Sequence, residues 1–316
     1  MRLTKEWTEV EIEKLVTLRL EGSTWNEISE IIGDISPNGA RKAFYRYVRD
    51  GIVSKTLNQK GVKILVIDLE TSPLEYYGWG LFDQNPSLDM IIKDWSILSF
   101  AAKWLGDPES EVMYQDTRNE KDPRDDSKLL RTIHSLVDEA DVLLIQNSKF
   151  DIGKFNARFI QAGLKPPSSY KVIDTYKIAK KKFGFTSNKL AYLTDKLCTT
   201  YKKLDHGQFS GFKLWRECLA GNKKAWEEME KYNKYDILSL EELYLKMAAW
   251  DDSINIDVYH DELTDRCFCG SPDFRHTGYV YTKTSKFQRF TCSNCGKERR
   301  GKDNLLSKDK KLSLKR

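Results

Sequence analysis

What this chain lacks narrows its class before any motif is read. No apolar run approaches the ~20 residues of a membrane span, so no membrane role is expected. The first residues, MRLTKEWTE, hold no apolar signal region, so secretion is not expected either. Strong charge of one sign is also missing: 52 lysines and arginines stand against 47 acids, a net of +5. That excess has a location. From Lys297 to Arg316 there are nine basic and three acidic side chains, which accounts for the whole positive balance. Cysteine is sparse, six in 316 residues, and unevenly placed. Cys198 and Cys218 stand singly, whereas Cys267, Cys269, Cys292 and Cys295 cluster. In a non-secreted chain such pairs read as metal ligands rather than disulfides. Core material is ample: 40% hydrophobic and 12% aromatic residues suit a globular chain, long enough for two or three domains.

The stretch Val62 to Thr71, VKILVIDLET, organises the middle of the chain. Ile64-Leu65-Val66-Ile67 is a continuous apolar run, as in a strand buried on both faces. It ends in Asp68 and Glu70. Residues two apart on a strand share a face. Two acids at the end of a buried strand repel each other and lose hydration, and a divalent cation removes both penalties. The alternative is a surface strand end with two solvated acids.

Ser72-Pro73 must leave that strand. Between Tyr76 and Asp94 the chain is irregular and aromatic, with Tyr76, Tyr77, Trp79, Phe82 and Met90. These side chains are either core or a surface that stacks bases of a single strand. Trp95–Trp104 reads as a strand, Leu129–Ala140 as an amphipathic helix, and Asp141–Ile145 as a second buried strand. That strand runs into Gln146-Asn147-Ser148-Lys149-Phe150-Asp151, and a helix is expected over 152–162. Asp151 therefore falls at a strand-to-helix junction on the C-terminal edge of the sheet, where sites of open α/β sheets gather. Val172-Ile173 is a short strand, and Asp174 reads as the cap of the next helix. Further helices are expected over Ser187–Leu197 and Ala225–Met247. On the second, Tyr232 and Asp236 continue the apolar face of Met229, Leu240 and Leu243, so the acid needs a partner.

Both ends carry small modules. Thr8–Glu11 and Thr24–Glu27 are capping boxes that open two short helices, and Ser36-Pro37 opens a third over Asn38–Tyr47. Three short helices with a basic third one resemble a helix-turn-helix. Trp7, Trp25, Phe44 and Tyr45 resemble the core of its Myb-like branch. The resemblance implies that the third helix enters the major groove, with Arg41, Lys42 and Arg46 at phosphates or bases. A three-helix module that packs on another protein is the alternative. Residues 51–61 form a linker. Near the C-terminus, Cys267-x-Cys269-Gly and Cys292-x-x-Cys295-Gly flank two strand-like stretches, Gly278–Thr282 and Phe287–Thr291. This arrangement resembles a zinc ribbon, with one structural Zn2+ between two knuckles. The first knuckle is one residue short, and His276 is the alternative ligand there. Lys286, Arg289, Lys297, Arg299, Arg300 and Lys302 favour phosphate contact, and 303–316 reads as a disordered basic tail.

Three central motifs in order, Asp68-x-Glu70, Asn147-x-x-Phe150-Asp151 and Tyr232-x-x-x-Asp236, resemble the exonuclease motifs of the DEDD superfamily. A tyrosine four before the last aspartate marks the DEDDy subtype; the histidine subtype would need histidine where Lys231 stands. The resemblance spans about 62–248. It implies an α/β fold: a ribonuclease H-like mixed sheet flanked by helices, here between a small all-α helix-turn-helix and a small β zinc ribbon. It also implies 3′→5′ exonuclease activity on nucleic acid, DNA favoured over RNA. Asp68, Glu70, Asp151 and Asp236 would hold two Mg2+ or Mn2+ ions, Tyr232 would orient or help deprotonate the attacking water, and Asn147 would contact substrate. Gln146, where many relatives carry histidine, is expected to alter a substrate contact. The expected domains are 1–50 helix-turn-helix, 51–61 linker, 62–250 nuclease, 263–302 ribbon and 303–316 tail. The arrangement looks phage-like or mobile-element-like, which would place the protein in the cytoplasm of a bacterial or phage-infected cell. Two other classes compete. A transposase or recombinase combines the same parts but generally ends its acid set in glutamate, which the Tyr232/Asp236 pair argues against. A non-catalytic DNA-binding regulator would not need all four acids.

Overall fold

The computed structural model describes residues 62–80, 82, 84–204, 207–259, 266–269 and 271–314, and, nearer the N-terminus, 11, 14, 15, 18, 23–33 and 35–40. The chain divides into two compact units: 62–247 with 251–254, and 1–61 with 248–250 and 255–316.

At the N-terminus, helix α1 (Trp25–Ile32) is capped as its sequence predicts. The Glu27 carboxylate accepts from the Thr24 backbone N–H at 2.6 Å, and the Thr24 hydroxyl accepts from the Glu27 N–H at 3.3 Å. Gly33, at φ 70°, ends the helix. Residues 37–40 begin the next helical turn, with Ser36 Oγ accepting from the Gly39 N–H. Arg41, Lys42 and Arg46 lie outside the described residues.

The larger unit is built on strands β1 (Ile64–Thr71), β4 (Ile97–Trp104), β5 (Met113–Asp116), β6 (Val142–Ile145) and β7 (Lys171–Asp174), with a small hairpin of β2 (Glu75–Tyr76) and β3 (Ile91–Lys93). The main sheet runs β5-β4-β1-β6-β7. Strand β1 is antiparallel to β4 and parallel to β6, so the sheet is mixed and β1 is its centre. Among the described residues six α-helices accompany it: α2 (Ser127–Glu139), α3 (Ser148–Gln161), α4 (Thr175–Lys182), α5 (Leu190–Leu197), α6 (Lys213–Leu219) and α7 (Lys223–Met247).

The unbroken apolar run in β1 has a direct cause: both faces are covered. Leu65, Ile67 and Leu69 join one core with Leu130 and Ile133 of α2 and Phe155 and Phe159 of α3. A second core gathers Leu98 of β4 with Leu214 and Cys218 of α6 and Trp226, Met229 and Tyr232 of α7. Because side chains alternate along a strand, Asp68 and Glu70 point away from the α2–α3 core, to the face on which α7 lies.

Helix α7 is fixed on the sheet by a buried ion pair. Lys103 Nζ meets Glu241 Oε2 at 2.5 Å, and Glu241 Oε1 accepts from the Gly106 N–H at 2.9 Å. Arg118 adds a second tie, joining Asp116 of β5 to Glu230 of α7. On the opposite side, Arg158 of α3 makes a forked pair with Asp126, whose Oδ2 also accepts from the Ile97 N–H.

The C-terminal part of the chain contains a three-stranded antiparallel sheet, order β10-β9-β8: β8 (Phe274–Tyr281), β9 (Lys286–Cys292) and β10 (Glu298–Arg300). Both expected stretches are strands, longer than their apolar patterns indicate. The segment read as a disordered tail is different in the structure. The Leu305 N–H donates to the Lys286 carbonyl, and Ser307 caps a short helix, α8 (Lys308–Ser313). Its basic composition conceals a cap and a first-turn acid, Asp309, that favour one helical turn. No helix among the described residues is long and apolar enough to cross a membrane.

Candidate active site

The site forms at the end of β1. Asp68, Glu70 and Asp236 each place a carboxylate oxygen within 4.8 Å of the others. Strand β1 supplies the first two, and α7 brings the third across 168 positions of sequence because its buried face lies on β1 and β4. Tyr232 sits one turn before Asp236 on the same buried face. Asp151 stands beside this trio rather than inside it. Helix α3 starts at Ser148, earlier than expected, so Asp151 belongs to its first turn. Its Oδ1 accepts from the Leu69 N–H at 3.2 Å, between the two β1 acids.

Asp151 and Asp236 are buried, 3% and 2% exposed, and crowd against the half-buried Asp68 and Glu70. Loss of water pushes Asp68 well above the usual carboxylate range, and the charges of Asp236, Asp151 and Glu70 push it further. Burial and then Asp236 raise Glu70 to about 8, against the pull of Lys203 and Trp215. Burial raises Asp151 to about 7, although the Leu69 N–H favours its charge. Burial, then Asp236 and Glu70, also raise the Tyr232 hydroxyl. At neutral pH that hydroxyl keeps its proton and is a donor.

Several side chains that the motifs did not reveal hold the acids in place. Asn233 Nδ2 donates to Asp68 Oδ2 at 2.8 Å, and Ser99 Oγ donates to Asn233 Oδ1 at 3.1 Å. Trp215 Nε1 donates to Glu70 Oε2 at 3.0 Å, and its ring meets Tyr232 edge-on at 6.4 Å. Lys203 pairs with Asp236 and lies 4.3 Å from the centre of the Tyr232 ring. Burial opposes the charge on Lys203, but Asp236, Tyr232 and Asp68 outweigh it and raise its pKa. Asn233 could have been found as the neighbour of Tyr232. Lys203 and Trp215 lie where the sequence shows no period.

The remaining expected residues divide. Asn147 is the one non-glycine with positive φ among the described residues, at 62°, and its side chain is exposed beside Ser148. Asp174 is a cap, as read. It accepts from the Tyr176 and Lys177 N–H groups and also from Asn147 and Ser148, so one carboxylate holds the starts of α3 and α4. Gln146 is turned to the protein rather than to a substrate: its amide donates to the Asn188 carbonyl, and its oxygen accepts from Thr175. Tyr77, Trp79 and Phe82 are exposed, which removes the core alternative for them. A cleft of about 470 Å³ opens next to the acids, lined by Glu70, Phe150, Phe212 and Trp215.

The second cluster is closed. Cys267, Cys269, Cys292 and Cys295 bring their sulfurs within 4.8 Å of one another. Sγ–Sγ distances are 3.5 Å for Cys267–Cys295 and 3.6 Å for Cys269–Cys292. A tetrahedral ion with ~2.3 Å bonds to sulfur sets its ligands about 3.8 Å apart, so the spacing fits. Both cysteines of the short first pair reach the cluster. His276 instead packs against the rings of Tyr279 and Phe290.

The order of strands and the acids at the centre of the sheet define a ribonuclease H-like α/β fold. A family model described as the RNase_H superfamily matches residues 97–248, just under half the chain. The match runs from β4 through α7 and takes in Asp151, Tyr232 and Asp236; β1 precedes it. A search of curated proteins found no match. Fold and family match together indicate a nuclease-like function, with nucleic acid as the partner.

Proposed function

We propose that the chain is a metal-dependent 3′→5′ exonuclease of the DEDDy type, acting on nucleic acid with DNA favoured. The observation that carries this reading is the meeting of Asp68, Glu70 and Asp236 within 4.8 Å, with Asp151 alongside. The donors are all oxygen, which suits Mg2+ or Mn2+. The ammonium of Lys203 on Asp236 marks the place as one that takes positive charge. These four acids would hold the divalent cations, which when bound would supply charge stabilisation for an in-line phosphodiester displacement. The chain's own residues do the rest. Asn233 and Trp215 fix the orientation of Asp68 and Glu70. Tyr232, protonated, donates a hydrogen bond that orients the attacking water, which is the first of the two roles its motif implies. Phe150 and Phe212, exposed in the cleft, offer apolar faces to the terminal base.

The flanking parts fit the same reading. The four cysteines would hold a structural Zn2+, and the N-terminal module with Arg41, Lys42 and Arg46 would bind DNA. Together they would tether the nuclease and raise the local concentration of ends. The test uses strands labelled at either end. Mononucleotides released from the 3′ end, and loss of activity by about 10³-fold or more in Asp68→Ala, are expected. Strand joining would instead indicate a recombinase, and binding without cleavage a regulator.

A further inference from the structure

One face of the C-terminal sheet carries a row of rings and a cation that the nuclease site does not use. In the β8–β9 register His276 pairs with Phe290, Tyr279 with Gln288 and Tyr281 with Lys286. Cross-strand partners share a face. The ring contacts agree: His276 meets Phe290 at 5.9 Å and Tyr279 at 5.5 Å, and Tyr279 meets Tyr281 at 6.4 Å. Lys286 Nζ lies 3.8 Å from the centre of the Tyr279 ring and 5.8 Å from that of Tyr281. The row is open to solvent, with Tyr279 42% and Tyr281 68% exposed.

Exposed tyrosines on a small sheet add nothing to its core. The surrounding charge indicates what they meet. Between Ser271 and Lys302 the sequence holds eight lysines and arginines and two acids, with Arg289 and Arg300 on the other face of the sheet and Lys297 buried. A polyanion with flat apolar faces complements both features. Duplexes hide their base faces, whereas single strands present them. Lys286 Nζ covers one face of the Tyr279 ring, so a base that stacks on that face displaces the ammonium toward the adjoining phosphate.

We infer that the Tyr279–Tyr281–Lys286 face of this sheet is a stacking platform for single-stranded nucleic acid. The inference rests on the reading of the chain as a nucleic-acid enzyme and assigns it a second strand-binding surface.

The test measures fluorescence anisotropy of labelled oligo-dT, oligo-U and a duplex with the full chain carrying Asp68→Ala, which prevents degradation. No chelator is used, and bound zinc is measured in every variant to establish that the sheet is intact. Replacing Tyr279 and Tyr281 by alanine should weaken single-strand binding by about tenfold per ring, without changing the salt dependence. Replacing both by phenylalanine should leave binding within about twofold. Lys286→Gln should lower the slope of log affinity against log salt by about 0.7. Unchanged affinity in the alanine pair, equal loss in the phenylalanine pair, or an equal tyrosine-dependent gain for duplex would each overturn the inference. The nuclease reading is judged separately, by hydrolysis in the unsubstituted chain. Hydrolysis with tyrosine-independent binding sinks only the platform; tyrosine-dependent binding without hydrolysis supports the platform and sinks only the nuclease.

Discussion

Asp68 and Asp236 are 168 positions apart, whereas the four clustered cysteines fall within 29 positions. Both groups crowd atoms that repel one another when ionised. They differ in what surrounds them. The carboxylates sit at the end of a rigid buried strand, beside an open cleft, and use hard oxygen donors. The thiols sit on two turns of a small sheet, enclose their centre and use soft sulfur donors. A long-range site needs a whole folded core to assemble it, and it can leave room for substrate. A local site can instead be what makes its own module fold.

That contrast gives the largest expected effect. Cys292→Ser should remove bound zinc and unfold the C-terminal sheet, because apparent zinc-binding energies of about 10–16 kcal/mol are of the same order as the folding energy of such modules. Hydrolysis of a short oligonucleotide by the other unit should change by less than about twofold. Zinc analysis and a cleavage assay on the same sample check both halves. Equal loss of cleavage would break the proposed independence of the two sites.

Next in size is Asn233→Ala. It leaves Asp68 without its amide donor, and losses of about 10–100-fold in Mn2+ affinity and cleavage rate are expected. Calorimetric titration with Mn2+ separates this from a fault in folding, since the helix itself gains a good helix former. An unchanged affinity would mean that Asn233 does not orient the site.

The smallest effect is graded by pH. Glu70 and Asp151 are raised to about 8 and about 7 in the cation-free fold. Raised carboxyl groups favour the folded state while protonated, so cation-free stability should fall as pH rises from the ordinary carboxylate range through those values. Cations must displace these protons, so Mn2+ affinity should rise between pH 6 and 8, by at most about tenfold per pH unit for each proton released. Zinc retention should not follow the same profile. A flat Mn2+ profile would show that the acids are already ionised.

The sequence shows the parts of the fold that have a period or a spacing. The apolar run of β1 announces a strand covered on both faces, the buried face of α7 announces Tyr232 and Asp236, and the paired cysteines announce their cluster. Asp174 reads correctly as a cap because its neighbours start a helix. What stays hidden has no periodic signal. Lys203 comes from the irregular stretch before α6 and Trp215 from α6 itself, a helix too short to show a period, and only tertiary packing brings them to Asp236 and Glu70. The short helix α8 is obscured by its basic composition. Gln146 sits in a motif, yet its hydrogen bonds are made within the protein, which no spacing reveals.

The most direct measurement is anomalous scattering from crystals of the full chain soaked in Mn2+. The account predicts two manganese peaks enclosed by Asp68, Glu70, Asp151 and Asp236, with Lys203 displaced from Asp236. No peak among these acids, or ions bound only at scattered surface carboxylates, would contradict it.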